Sequence, residues 1–162
     1  MKKVDQSFSY VIYDSIDHLQ AEDAILLKEA IKISRGAYAP YSKFYVGAVA
    51  RLEGGQMVSG TNQENASFPA GICAERVLLS AASSIYPGIP LKTIAISYQF
   101  NSGKSQHPIA PCGICRQSLL EQEQRQRSDI RLILGGMQGK IFIIGSAGTL
   151  LPLGFTGNDL GG

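Results

Sequence analysis

The sequence has little of what marks nucleic-acid-binding and membrane proteins. Its 162 residues include 15 basic and 13 acidic side chains, which leave a formal charge of only +2. It has no basic stripe of the kind that follows a phosphate backbone, which argues against nucleic acid as a partner. The longest apolar runs, such as Ile141–Ile144, are far too short to cross a bilayer, so we expect no membrane partner.

Cysteine is scarce, and so are apolar residues at the start of the chain. The chain begins MKKVDQSFSY, with two lysines but without the apolar stretch of a secretory signal. Its three cysteines are an odd number, which disfavours a closed framework of disulfides and is typical of a reducing compartment. We therefore expect a cytoplasmic protein whose cysteines either fill the core or take part in chemistry.

The residues that are present predict an α/β domain. Hydrophobic residues make up 44% of the chain, and no repeat marks a boundary, so we expect a single domain over 1–162. Strand-like stretches alternate with helical spacing, and Glu53-Gly54-Gly55 predicts a hairpin, which argues for a mixed sheet. The predicted elements are strands over 8–13, 44–52, 91–98, 130–134 and 140–144, a strand ending at 60, helices over 20–37, 74–85 and 113–125, and a polar loop over 99–111.

Two segments that enter predicted helices contain all three cysteines. They are CAER at 73–76 and PCGICRQ at 111–117. A helix N-terminus offers free N–H groups and a partial positive charge, which favour thiolate over thiol. Cys112 and Cys115 are three residues apart, so one helical turn brings their sulfurs to the same side. With Cys73 from the facing helix, they supply three corners of a tetrahedral zinc site.

The lack of a fourth protein ligand indicates what kind of zinc site this is. Structural zinc sites are usually closed by four protein ligands, whereas catalytic sites keep one position for water. His107 stands five residues before Cys112, an unhelpful spacing for a ligand, and His18 is remote, so we expect both histidines at the surface. The pattern predicts a catalytic zinc ion.

Glu75 is the expected acid–base group. It lies two residues after Cys73, close enough to reach past the metal to a water. It would act as general base towards that water and then as general acid towards a leaving amine. The alternatives are a redox CxxC pair or buried core cysteines, but a redox pair explains neither Cys73 nor Glu75.

Three thiolates bring excess negative charge, which weakens the metal as a Lewis acid. A nearby cation relieves this, and Arg76 is the expected one. It would donate to the ligand sulfurs and be held in place by a neighbour such as Gln117. The alternative is a solvated arginine at the start of a helix.

The chain closely resembles the small cytidine deaminases with three cysteine ligands. The match runs from about residue 37 to 160 and is carried by AYAPYSKF (37–44), VGA (46–48), NQENASFPAGICAER (62–76), PCGICRQ (111–117) and LPLGFTGNDL (151–160). Such enzymes combine a zinc site of this kind with a glutamate that is not a ligand. The resemblance implies a three-layer cytidine-deaminase-like α/β fold with a mixed central sheet flanked by helices. Residues 1–18 form a loosely matching extension to which we assign no function.

The resemblance also implies the substrate contacts. Asn62 and Glu64 are expected on the ribose hydroxyls, since an amide and a carboxylate suit a diol, and Phe44 is expected to pack on the nucleoside. Phe68 stands where many relatives carry tyrosine, which removes one hydroxyl contact on the 5′ side of the sugar. The full set implied for substrate binding is Phe44, Asn62, Glu64, Ala66, Phe68, Ala74 and Phe155.

The implied reaction is hydrolysis of cytidine and 2′-deoxycytidine to the uridines with release of ammonia, in pyrimidine salvage, with one Zn²⁺ per chain. The resemblance implies a homotetramer in which a neighbouring subunit supplies Phe155 to stack on the pyrimidine. Two alternatives stay open. One is a deaminase of another cytosine nucleoside compound. The other is a non-catalytic zinc-binding module of the same fold, which the presence of Glu75 argues against.

Overall fold

The structure is a computed structural model that describes residues 1–100 and 105–161. Part of the loop predicted over 99–111, residues 101–104, lies outside the described residues. The strands are β1 (Tyr10–Tyr13), β2 (Phe44–Leu52), β3 (Met57–Thr61), β4 (Leu91–Phe100), β5 (Arg131–Gly135) and β6 (Ile141–Ile144), and the helices are α1 (Ala21–Ser34), α2 (Ala74–Ile85) and α3 (Gly113–Gln126). Within the described residues, every helix is too short or too polar to cross a bilayer.

One six-stranded sheet organises the chain, in the order β1-β6-β5-β4-β2-β3. Its neighbouring strands are antiparallel except for β4 and β5, which are parallel. The predicted hairpin is present, with β2 and β3 paired on either side of the glycine turn. The prediction of a mixed α/β sheet is confirmed.

Strand alternation gives the sheet two apolar faces. Val49, Ala95 and Ile133 point to one face, where they pack with Leu26 and Leu27 of α1. Residues of opposite parity on the same strands form a larger cluster with α2 and α3 on the other face. The helices therefore flank the sheet on both sides, as the three-layer prediction requires.

Helix α1 ends at Ser34, three residues earlier than predicted. The Ser34 hydroxyl donates to the Ile31 carbonyl at 2.7 Å, and Gly36 N–H donates to Ile33, so the last turn tightens before the chain reaches Pro40. Ile85, the last residue of α2, is 62% exposed, although its helical spacing from Leu78 and Ala82, which are buried, predicts that it shares their face.

Strand β1 begins at Tyr10 rather than at residue 8. It pairs with β6, which ends where Ile144 lies opposite Tyr10, so the two residues before Tyr10 have no partner in that strand. Strand length here is set by the partner strand, which the local sequence of β1 does not reveal.

Gly60 on β3 lets helix α2 lie close to the sheet. A Cβ atom at this position would stand 2.4 Å from the Ala74 carbonyl oxygen and 2.5 Å from the Leu78 nitrogen. Only glycine permits that approach, because the clash is with helix backbone that cannot rotate away. The first turn of α2, which begins directly after Cys73, is therefore seated against the edge of the sheet.

Candidate active site

The three cysteines meet where α2 and α3 begin. Cys73 is the N-cap residue of α2 and Cys112 is the N-cap residue of α3, while Cys115 is buried one turn into α3. The Sγ atoms of Cys73 and Cys112 are 3.8 Å apart, those of Cys112 and Cys115 are 3.5 Å apart, and all three lie within 4.8 Å of one another.

These distances fit a zinc ion. With zinc–sulfur bonds of about 2.3 Å and tetrahedral angles, neighbouring sulfurs lie about 3.8 Å apart. Among the described residues, no histidine or carboxylate oxygen joins the cluster. The donor set is therefore three soft sulfurs, which suit zinc and leave a coordination position without a protein ligand.

The two helix starts favour the thiolate form. Cys73 and Cys112 are N-cap residues, which places them at the positive ends of two helix dipoles, although neither side chain makes a capping hydrogen bond. The hydrogen bond with Cys115 lowers the pKa of Cys73 to about 6, and the positive charge of Arg76 acts in the same direction. The same bond, together with burial, raises the pKa of Cys115.

Glu75 lies in the first turn of α2, with only 5% of its surface exposed. Burial raises its pKa, against the opposing effects of its own backbone N–H and of Cys115. A carboxyl held in such a place is a candidate for proton transfer, because a raised pKa brings it closer to neutral pH.

A cavity of about 510 Å³ opens over the cysteines. Cys73, Cys112 and Glu75 line it, which marks this end as the floor of the cavity. The predicted substrate-binding residues that line the same cavity are Phe44, Asn62, Glu64, Phe68 and Ala74. Ala66 is exposed and lies beside the lining residue Asn65.

Asn62 and Glu64 also hold the cavity walls in place. Asn62 accepts from Val46 N–H at 2.7 Å and donates to the Phe44 carbonyl at 2.9 Å, which ties it to the start of β2. The Glu64 carboxylate accepts from Tyr41 N–H at 2.8 Å and from Ser42 N–H at 3.2 Å. Its interaction with Ser42 is the main reason that the pKa of Glu64 is lowered.

Phe68 is the most exposed of the aromatic residues that line the cavity, and we take its position as the mouth, opposite the cysteine floor. Phe68 is 76% exposed and meets Tyr41 edge to face, with ring centroids 6.0 Å apart. Phe155 is 57% exposed and does not line the cavity of its own chain.

Gln117 has a different partner from the one predicted. Its Nε2 donates to the Phe155 carbonyl at 2.8 Å, so it connects α3 to the C-terminal segment and not to Arg76. Arg76 is half-buried in a groove between α2 and α3, and it makes no side-chain hydrogen bond to a described residue. Its role towards the sulfurs stays a prediction supported by its charge.

Both histidines are exposed and stand apart from the cysteine cluster, as expected. The sequence reasoning missed Ile109 and Ala110, which line the cavity just before the second cysteine segment. The available signal was an apolar pair in a polar loop directly before Pro111-Cys112. Val46 was also missed, although it follows Phe44 at strand period two and lines the cavity with it.

Residues 20–127 match a family model described as the cytidine and deoxycytidylate deaminase zinc-binding region. A cytidine deaminase of Halalkalibacterium halodurans is 38% identical over 136 residues, which cover 84% of this chain and 96% of the relative. A cytidine deaminase of Mycobacterium tuberculosis is 38% identical over 97 residues, 60% of this chain and 68% of that protein.

Solved structures agree with the sequence relatives. The crystal structure of a cytidine deaminase from Burkholderia pseudomallei is similar to this chain with a TM-score of 0.69 and 38% identity, over 85% of this chain and 100% of that one. The cytidine deaminase of Mycobacterium tuberculosis is similar with a TM-score of 0.64 and 30% identity, over 84% and 98% of the two chains.

Proposed function

The chain belongs to the cytidine and deoxycytidylate deaminase family, and on that premise we propose that it hydrolyses cytidine and 2′-deoxycytidine to the corresponding uridines with release of ammonia. It is a zinc-dependent deaminase with one zinc ion per chain, for which Cys73, Cys112 and Cys115 are the ligands. When bound, zinc supplies the Lewis acidity that makes water nucleophilic near neutral pH.

Glu75 moves the protons of the reaction. Its carboxylate takes a proton from the attacking water, and the oxygen bonds to C4 of the cytosine ring. The protonated carboxyl gives this proton to ring N3. It then takes the remaining proton from the new C4 hydroxyl and passes it to the C4 amine, which leaves as ammonia as the ring carbonyl of uridine forms. Burial of Glu75 keeps bulk water from competing for that proton.

The cavity suits a nucleoside with its base towards the cysteines. C4 of the pyrimidine must reach the floor beside Glu75, so the sugar lies towards the mouth, where Asn62 and Glu64 offer polar atoms for its hydroxyls. Phe44 provides an apolar face for the flat ring, and the small side chains of Ala66 and Ala74 leave room near the substrate.

The proposal extends to a homotetramer whose active sites are shared between subunits. Phe155 from a neighbour would stack on the pyrimidine, and its 57% exposure in the single chain is the supporting observation. Leu153 and Leu160 in the same segment are 98% and 75% exposed, which is typical of apolar residues that a partner covers. A cytoplasmic role in pyrimidine salvage accords with this activity.

The observation that supports deamination most strongly is a buried carboxyl at the floor of a nucleoside-sized cavity, beside three thiols at zinc spacing. A structural zinc site has no need of Glu75. A second candidate substrate is a cytosine nucleoside altered at the 5′ position, which Phe68 favours because its ring at the cavity mouth offers no hydroxyl partner.

The test is an absorbance assay with cytidine, 2′-deoxycytidine and 5′-deoxycytidine, run beside elemental analysis of the same preparation. We expect turnover of the first two and one zinc per chain. Preferred turnover of the third would favour the second candidate. Bound zinc with no turnover of any of them would identify a non-catalytic module, and full activity with far less than one zinc per chain would contradict the zinc mechanism.

A further inference from the structure

One wall of the cavity is formed by residues 105–111, here called the wall segment. Its residues Ile109 and Ala110 line the cavity, and Cys112 follows directly. The position of this segment therefore sets how much room a flat ring has above the floor. The contacts that hold the wall segment against the sheet therefore affect how a substrate binds.

The wall segment is anchored first at Ser105, which is 1% exposed. Its hydroxyl donates to the Tyr98 carbonyl at 2.6 Å and accepts from Met137 N–H at 2.8 Å. A Cβ atom at Gly136 would stand 2.4 Å from the Ser105 carbonyl oxygen, so the backbones are in close contact there. This end of the segment is closely bound to the sheet and to the turn after β5.

The second anchor is the side chain of Tyr98 on β4, also 1% exposed. Its hydroxyl donates to the His107 carbonyl at 3.1 Å, and a longer contact of 3.4 Å joins it to His107 Nδ1. Burial raises the pKa of Tyr98, so the hydroxyl keeps the proton that it donates. This bond holds the segment two residues before Ile109.

The Tyr98 ring also supports the other side of the cavity. Its centroid lies 5.1 Å from that of Phe44, with the two planes tilted by 37°. Tyr98 is paired with Val46 in the β2–β4 register, and both Phe44 and Val46 line the cavity. One side chain thus touches a cavity aromatic with its ring and the wall segment with its hydroxyl.

We propose that Tyr98 is a positioning residue for nucleoside binding: its ring supports Phe44 and its hydroxyl holds the wall segment, so that together they fix the width of the cavity. The inference rests on the proposed function in taking a cytosine nucleoside as the ligand. Because His107 is exposed, its carbonyl can bond to water when the hydroxyl is removed. The stability of the fold then changes little while the wall segment loses an anchor.

The test is Tyr98→Phe in the full-length zinc enzyme. Loss of one neutral hydrogen bond should raise KM for cytidine about 3- to 10-fold, while kcat stays within about twofold and zinc content is unchanged. Tyr45→Phe is the matched control. It removes a hydroxyl from the neighbouring strand β2, on the sheet face opposite Phe44 by strand alternation, and should leave KM as in the wild type.

Ser105→Ala loosens the same segment at its other anchor and should also raise KM, so the inference remains testable if Tyr98→Phe fails to fold. An unchanged KM in whichever of these variants folds, or a fall in kcat together with loss of zinc, would overturn the inference. If the wild type does not turn over cytidine, the proposed function fails on its own. Calorimetric affinities for cytidine of the wild type and the variants then decide the positioning role.

Discussion

The floor and the mouth of the cavity are built in opposite ways. At the floor, Cys115 is fully buried and Glu75 is 5% exposed, each in the first turn of a helix. At the mouth, Phe68 is 76% and Tyr41 is 50% exposed. The carbonyl of Phe155, itself 57% exposed, accepts a hydrogen bond from Gln117 of α3.

Under the proposed function, this contrast separates the parts of the reaction that one chain would supply alone from those that would need a neighbour. The metal ligands and the proton carrier are assembled within a single fold by two helix N-termini. In the proposed binding mode the sugar would face an opening beside Phe68 and Tyr41, whose side chains contact each other and are otherwise largely exposed. A change at the floor should therefore abolish chemistry, whereas a change at the mouth should weaken binding in a way that depends on the neighbouring subunit.

The largest effect should come from Glu75→Gln at the floor. The amide keeps the size and hydrogen bonding of the carboxyl but cannot carry a proton. We therefore expect kcat to fall by ~10²–10⁴-fold or more, measured by the loss of cytidine absorbance. Zinc content by elemental analysis should remain one per chain.

Cys115→Ala removes a zinc ligand at the same floor, and this variant should lose zinc and activity together. Two variants at the same floor would then separate proton transfer from metal binding. Near wild-type turnover by Glu75→Gln would refute the assigned role of this carboxyl.

A smaller effect is expected from Phe155→Ala, at the residue that a neighbouring subunit would contribute to the cavity in the proposed tetramer. Loss of a stacked aromatic should weaken cytidine binding ~5- to 150-fold, as judged from stacking of bases on aromatic side chains. Zinc content should be unchanged, because the residue does not touch the floor. The measurements are KM and the affinity for cytidine.

Mixing the Phe155→Ala and Glu75→Gln proteins tests whether the mouth is shared. If subunits exchange, some hybrid sites combine an intact Glu75 with an intact Phe155 from the other chain, and activity should rise above that of either parent. Hybrids that form without any gain would show that each site belongs to one chain.

The smallest effect should appear in the pH dependence of stability at the mouth. The pKa of Glu64 is lowered in the folded state, from a reference value of 4.5, by Ser42 and by backbone N–H groups. Its contribution is present above the unfolded-state pKa and is lost as pH falls through the folded one. Wild type should therefore lose more thermal stability between pH 7 and pH 3 than Glu64→Gln.

Glu121→Gln, which removes an exposed carboxyl on α3, is the control and should keep the wild-type dependence. Stability is measured by thermal unfolding at each pH. Equal losses of thermal stability in wild type and Glu64→Gln would show that Glu64 does not stabilise the 41–42 turn through its charge.

The sequence alone predicted the six strands and three α-helices of the described residues, with bounds that shift by up to three residues, but none of the short 3-10 helices. It also predicted the metal cluster. The ligands Cys112 and Cys115 are neighbours in sequence, and Cys73 and Glu75 share one helix start. Spacing within a helical turn therefore determines their geometry.

Only the tertiary structure decided the contacts between distant segments. The bond from Gln117 to the Phe155 carbonyl and the bond from Tyr98 to His107 depend on how loops return to the sheet, which local pattern does not encode. The first residue of β1 depends on the length of β6, with which it pairs. The position of α2 depends on the close approach of its backbone to Gly60. Local spacing determines the groups proposed to do the chemistry. The shape of the cavity depends instead on which distant backbones meet, and that is settled only when the sheet assembles.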